Sequence, residues 1–219
     1  MDKTYYSKEG FEETFAVNHL SHFLLVNLLL DRMTKDGRIA FVSSGTHDPK
    51  KKAGMPEPVY KNEKILAYPE ENYTNDKKGL AGRRRYTTSK LCNIYCMYEL
   101  VDRLNQMSAK NITVNAFDPG LMPETGLART YHPISRFVLK YFLGLFVIFP
   151  ANINSVAKSG KTLASLVTDN QLKHVTGRYF EGKKEMKTSA LSYNKENQKN
   201  LWNVSVELSQ LQKDESVLL

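Results

Sequence analysis

The chain has 219 residues, with 31 Lys+Arg against 23 Asp+Glu and a formal charge of +8. Apolar residues make up 41 % and aromatics 11 %, enough to bury a sizeable core, which excludes a mainly disordered chain and suits one domain over residues 1–219. Two cysteines, Cys92 and Cys96, exclude a disulfide scaffold, point to a reducing compartment, and are too few for a closed zinc site.

The first segment predicts a long helix. Ser7 is its expected N-cap, and Phe11, Phe15, Val17, Leu20, Phe23, Leu24 and Leu28 recur near the helical period. Asp36-Gly37 ends it. Arg38-Ile-Ala-Phe-Val42 is a short apolar run, the mark of a strand buried on both faces, and Ser43-Ser44-Gly45 follows it. Residues 45–85 form a long polar stretch with four prolines, expected to be a basic loop. From Lys50 to Arg85 it holds ten Lys/Arg and five acids. That charge is either an attractor for anions or a solvated face. No interleaved aromatics accompany it, so nucleic acid is not expected as a partner.

Tyr86 to about Asn105 predicts a second helix, striped by Leu91, Ile94, Tyr95, Tyr98, Val101 and Leu104. Ile112 to Phe117 is the second strand, ended by Asp118-Pro119-Gly120. Phe137 to Phe149 is apolar but, at 13 residues with Lys140 inside, too short to span a bilayer. Ser155 to Thr168 predicts a helix, Gly177 to Gly182 a third strand, and residues 195–211 a last amphipathic helix around Leu201, Trp202 and Leu208. Residues 212–219 are expected to be a loose tail. The polar N-terminus shows no signal peptide, so a cytoplasmic protein is expected, with a peripheral membrane contact left open. His19 and His22 lie three apart, but no third metal ligand is apparent, and core or surface histidines are the expected reading.

Alternating strands and helices indicate an α/β layer fold with a parallel sheet. Ligands in such sheets sit outside the C-terminal strand ends, which here are Ser43-Ser44 and Pro119-Gly120. Tyr86 and Lys90 stand four apart and share a helix face. An ammonium beside a phenol stabilises phenolate, bringing the tyrosine closer to a pKa useful for proton exchange near neutrality. Ser44 is placed to hold a substrate oxygen while Tyr86 moves the proton. The set suits carbonyl/alcohol interconversion with hydride from a cofactor.

Four ordered motifs carry a resemblance. They are Phe15-Ala-Val-Asn18-His-Leu-Ser-His-Phe-Leu-Leu25, Arg38-Ile-Ala-Phe-Val-Ser-Ser44, Tyr86-Thr-Thr-Ser-Lys90-Leu-Cys-Asn93 and Asn115-Ala-Phe-Asp-Pro-Gly120. Together they closely resemble the short-chain dehydrogenase/reductase family, over roughly residues 7 to 182, most like its retinol-dehydrogenase and protochlorophyllide-reductase branch. The resemblance implies a Rossmann-like doubly wound parallel sheet and NADP or NAD as cofactor. It implies Tyr86 as acid/base and Lys90 as nicotinamide-ribose ligand and tuner of the tyrosine. It implies Ser44 as substrate anchor, and Asn18 as support for the lysine through a water. Pro119 and Gly120 match the turn beside the nicotinamide. The family's threonine position after that turn is Glu124 here, so Thr125, one later, is the candidate carboxamide contact. Residues 121–154 fall where the family covers its substrate. They suit a small hydrophobic carbonyl/alcohol substrate or a membrane-surface contact, with core packing as the bland reading.

The family opens with a strand, a T-G-x-x-x-G-x-G turn and a helix that receive the cofactor pyrophosphate. No such turn occurs in this sequence. The expectation is therefore a truncated form, its first residue falling after the family's fourth strand and about 80 to 100 residues short. It would have a three-stranded sheet and Arg38–Val42 as an open edge. The rival expectation is a non-catalytic interaction module, using the faces where related enzymes dimerise.

Overall fold

The computed structural model describes residues 4–61, 63–69, 76–107, 111–122 and 152–219. The expected apolar segment Phe137 to Phe149 and Thr125 lie outside them. Four strands form one sheet in the order β1 (Arg38–Val42), β2 (Thr113–Asp118), β3 (Tyr179–Glu181), β4 (Lys184–Met186). β1, β2 and β3 run parallel, and β4 returns antiparallel beside β3. The fourth strand was not expected. Gly182, in left-handed backbone at φ +59°, turns the chain after only three residues, too few to show an alternating pattern. Among the described residues β1 pairs with β2 alone, as expected of an edge, and Val42 is exposed.

The helices are α1 (Glu13–Phe15), α2 (Ser21–Leu30), α3 (Glu63–Ala67), α4 (Lys78–Asn105), α5 (Val156–Thr168) and α6 (Lys195–Ser209). A π-helical turn, Ala16–Leu20, joins α1 to α2. Strand alternation sorts the core into two faces. Phe41, Val114, Ala116 and Tyr179 meet Ile94, Met97 and Leu100 of α4 and Trp202 of α6. Ala40, Phe117 and Phe180 meet Leu163 and Leu166 of α5. This is the layered α/β fold the sequence predicts.

Three boundaries differ from expectation. Ser7 does not cap the first helix. Its Oγ accepts from the Phe11 N–H, and Gly10 at φ +86° turns the chain. Glu12 caps instead, accepting from the Phe15 N–H at 2.8 Å. The 45–85 stretch is not a bare loop. It contains two short 3₁₀ turns and α3, and α4 begins two turns ahead of Tyr86. The arginines that disguised this start are held. Arg84 binds Asp76 at 2.5 Å, and Arg85 binds the buried Glu12 at 3.1 Å. The tail is not loose either. Ser216 is buried and its hydroxyl donates to Asn27 Oδ1, while Arg103 donates to the Leu218 carbonyl.

His19 is a core residue. Its Nε2 lies 2.8 Å from Ser205 Oγ, its ring packs between Phe15 and Phe23, and burial holds its pKa down to about 3. No metal-ligand cluster occurs among the described residues. An unfolded histidine titrates near 6.5, so the unfolded chain takes up a proton that native His19 refuses. Stability should therefore be full above about pH 6.5 and decline as pH falls from there toward about 3. Urea unfolding at pH 7 and pH 5 checks this. The loss should be smaller in His19→Gln, the remainder coming from other groups such as buried His47.

Candidate active site

The site assembles where β1 and β2 end. α4 runs beneath them with a polar face that is itself buried: Thr87, Thr88, Ser89, Lys90 and Asn93 are all nearly inaccessible. Each of these finds a partner. Ser43, the first residue past β1, donates its hydroxyl to the Lys90 carbonyl at 2.8 Å. The Val42 carbonyl accepts from Lys90 Nζ at 3.3 Å and from Asn93 Nδ2 at 3.1 Å. The end of β1 is thus stitched to one turn of α4.

Ser44 follows in extended backbone and caps the 3₁₀ turn Gly45–His47, accepting from the Thr46 N–H. Ser44 stands close enough to Tyr86 for its hydroxyl to favour the phenolate, so two of the expected residues are neighbours. Lys90 Nζ lies 5.5 Å from the centre of the Tyr86 ring. Asn18 sits in the π-helical turn, and its amide donates to Ser89 Oγ at 3.0 Å. Ser89 in turn donates to the Tyr86 carbonyl. Asn18 therefore braces the turn of α4 that bears Tyr86.

The electrostatics depart from the simple expectation. Burial raises the Tyr86 pKa, the negative charge of Asp118 adds to that, and the Ser44 hydrogen bond opposes both. The expected lowering by Lys90 does not decide the tyrosine, because burial of the phenol itself dominates. Burial pulls Lys90 down to about 8, with Asp118 working against the fall. At neutral pH both groups keep their protons.

Pro119 and Gly120 form a second wall. Gly120 adopts φ +77°, and a Cβ there would come within 2.5 Å of the Asn152 carbonyl oxygen and Asn154 Nδ2. The Pro119 carbonyl accepts from Asn154 Nδ2 at 3.1 Å and from Ser159 Oγ at 2.7 Å. A cleft of about 800 Å³ opens beside this turn, with Pro119, Asn154, Ser159 and Lys158 in its wall. Ser44, Tyr86 and Lys90 are not among the described residues that line it.

Two functional neighbours went unassigned in the sequence. Asp118, read there only as a strand terminator, is 6 % exposed and accepts from the N–H groups of both Gly45 and Gly120. An acid closing an otherwise uncharged strand was the available signal. His47 is fully buried, and its Nε2 accepts from the Ser189 N–H. Its proton therefore sits on Nδ1, which donates to the Ser44 carbonyl at 2.6 Å. No sequence pattern marks that link, which depends on a residue 142 positions away.

A short-chain dehydrogenase of Talaromyces variabilis, iccH, is 30 % identical to this chain, over 97 % of the chain and 68 % of the relative. The chain belongs to the short-chain dehydrogenase family. Human polyprenol dehydrogenase is 30 % identical over 93 % of this short-chain dehydrogenase chain and 56 % of its own length. Human retinol dehydrogenase 14 is 30 % identical over 91 % and 52 %. The chain thus spans between about half and two thirds of the length of these relatives. No family model matches it. Among solved structures, an uncharacterized protein from Mycobacterium paratuberculosis superposes with a TM-score of 0.63 at 22 % identity, covering 96 % of this chain and 63 % of that one, a likeness of fold.

Gly120 and Gly182 separate two kinds of glycine. Both have positive φ, but nothing lies within 4 Å of a Cβ at Gly182. Gly182→Ala should cost about 1–2 kcal/mol from backbone strain alone. Gly120→Ala should cost clearly more, because it also collides with the 152–154 loop. Urea midpoints of the two variants give the comparison.

Proposed function

We propose that this chain carries the proton-transfer machinery of an oxidoreductase interconverting a carbonyl and an alcohol, with NADP(H) or NAD(H) as hydride partner. The observation that carries the reading is the meeting of Ser44, Tyr86 and Lys90 at the C-terminal ends of β1 and β2. Named relatives that act as dehydrogenases, polyprenol and retinol dehydrogenase among them, support it.

The chain's own groups divide the work. Ser44 presents its hydroxyl to the substrate oxygen while its oxygen accepts from Thr46 N–H, which fixes its direction. Tyr86, kept protonated by burial, delivers its proton to that oxygen as negative charge develops. A raised phenol pKa favours the acid role, and hence carbonyl reduction over alcohol oxidation near neutrality. Lys90 holds positive charge beside the phenol below about pH 8 and stabilises phenolate once the proton has left.

The residues present fit the nicotinamide-ribose end of a dinucleotide. Lys90 gives one hydrogen to the Val42 carbonyl and retains two donors, the requirement for ribose hydroxyls. The pyrophosphate end has no glycine-rich turn in this sequence. When bound, the dinucleotide supplies the hydride. A hydrophobic alcohol or ketone is the proposed substrate class, in keeping with the relatives named for retinol and polyprenol. Among the described residues no helix is long and apolar enough to cross a membrane.

Binding of NADPH and NADH, followed by cofactor fluorescence and thermal shift, should be saturable for one of them. Absence of binding by either, with a sharp melt, would favour a non-catalytic interaction module on the same fold. Tyr86→Phe should lower turnover by about 10²–10⁴-fold with an unchanged melting temperature. Carbonyl reduction should fall as pH rises through about 8, where Lys90 loses its proton. Full turnover in Tyr86→Phe would overturn the assignment.

A further inference from the structure

We propose that Asp118 is a positioning residue: its carboxylate clamps the Ser44 loop to the Pro119–Gly120 turn. The clamp stands on geometry alone, and the effect of its charge on Lys90 bears on the function proposed above.

The two carboxylate oxygens are divided between two separate loops. Oδ2 accepts the Gly45 N–H at 3.0 Å, and Oδ1 accepts the Gly120 N–H at 2.8 Å. The fit on the first side is close. A Cβ on Gly45 would stand 3.2 Å from Oδ2, tighter than ordinary contact, so the backbone at 45 is pressed against the carboxylate. Gly120 admits no Cβ because of Asn152 and Asn154. A glycine on each loop thus lets a backbone amide approach one buried acid. Asn152 Nδ2 approaches Oδ2 more distantly, at 3.5 Å. Both loops follow strands that lie side by side, so a clamp between them sets the distance from Ser44 to the second wall.

The charge matters as well. No ion pair involves Asp118 among the described residues, and its charge acts on the ammonium of Lys90, the phenols of Tyr86 and Tyr179 and the imidazole of His47. The other titratable groups at this end of the sheet are His47 and Asp48 after β1, and Tyr179 and Glu181 on β3. Glu181 is paired with Lys51. Asp118 therefore supplies the carboxylate that holds Lys90 charged against desolvation. An asparagine in its place offers one acceptor oxygen where two are needed and carries no charge.

The test uses the purified chain with ¹³C-labelled lysine. The Lys90 signal is assigned by its loss in Lys90→Met and titrated by NMR, and amide exchange is read at Gly45 and Gly120. In Asp118→Asn, Lys90 should titrate at lower pH than in the parent. Exchange at Gly45 or Gly120 should rise about tenfold or more. Exchange at Val114 in the centre of β2 should stay unchanged, showing an intact sheet. Asp118→Glu, which keeps the charge on a longer arm, should return the Lys90 titration toward the parent while leaving exchange raised. If Asp118→Asn does not fold, Asp118→Glu alone decides: raised exchange with a parent-like Lys90 titration supports the proposal. Unchanged exchange in a folded variant would overturn the clamp. An unmoved Lys90 in Asp118→Asn, or an equal shift in both variants, would overturn the charge role. Neither readout requires turnover, so a chain without oxidoreductase activity would sink the functional reading and leave this result interpretable.

Discussion

A helix buried along most of its length must find a partner for every polar group it carries, and α4 is such a helix. Leu91, Cys92, Ile94, Tyr95, Met97 and Leu100 are almost wholly inaccessible, and so are Thr87, Thr88, Ser89, Lys90 and Asn93. An unpaired buried polar group costs about 1–3 kcal/mol, and a charged one more. The end of β1 answers part of this need through Ser43 and the Val42 carbonyl, the π-helical turn answers another part through Asn18, and Thr87 donates to the Arg84 carbonyl of its own helix. Thr88 closes against Val59 in the basic stretch, both accepting its N–H and donating to its carbonyl. The same bonds that make the helix tolerable in the core bring Tyr86 and Lys90 to the strand ends. Satisfying the helix and building the site are one set of contacts.

Burial also decides the charge states. An ammonium near a phenol should lower the phenol's pKa if both stood in water. Here desolvation acts on both and pushes them toward neutrality from opposite sides, Tyr86 upward and Lys90 downward. The field of Asp118 then opposes desolvation at the lysine and reinforces it at the tyrosine. Charge proximity alone would have given the wrong sign for Tyr86. By contrast, the exposed pairs Lys64–Glu207 and Lys195–Asp102 contribute little to stability, since water screens them.

Periodic features were legible and partner-dependent ones were not. β1, β2, α5 and α6 were readable because an apolar run or a helical stripe needs no knowledge of the rest of the chain. Ser44, Tyr86, Lys90 and the Pro119–Gly120 turn could be singled out as candidates because each sits within a motif of fixed order. The start of α4 was hidden within the basic stretch, whose charge reads as a solvated loop until Asp76 and Glu12 are seen to pair with Arg84 and Arg85. β4 was too short to pattern. His47 gave no local sign because its partners are a carbonyl three residues back and an amide far downstream. The tail looked loose because its composition is polar, yet buried Leu218 and a buried serine, Ser216, tie it down.

That serine bears on how the chain reaches its native state. The Ser216 hydroxyl donates to Asn27, a residue 189 positions earlier, and Leu218 packs in the same cluster as Phe23 and Leu30. During synthesis the first long helix emerges well before its covering residues exist. Until they arrive, the Asn27 carboxamide oxygen lacks its native donor and an apolar surface stays open beside it. Contacts of such separation form late and favour slow completion over early docking. Nascent chains would then expose that surface to chaperones until the 189 positions between Asn27 and Ser216 have been synthesised.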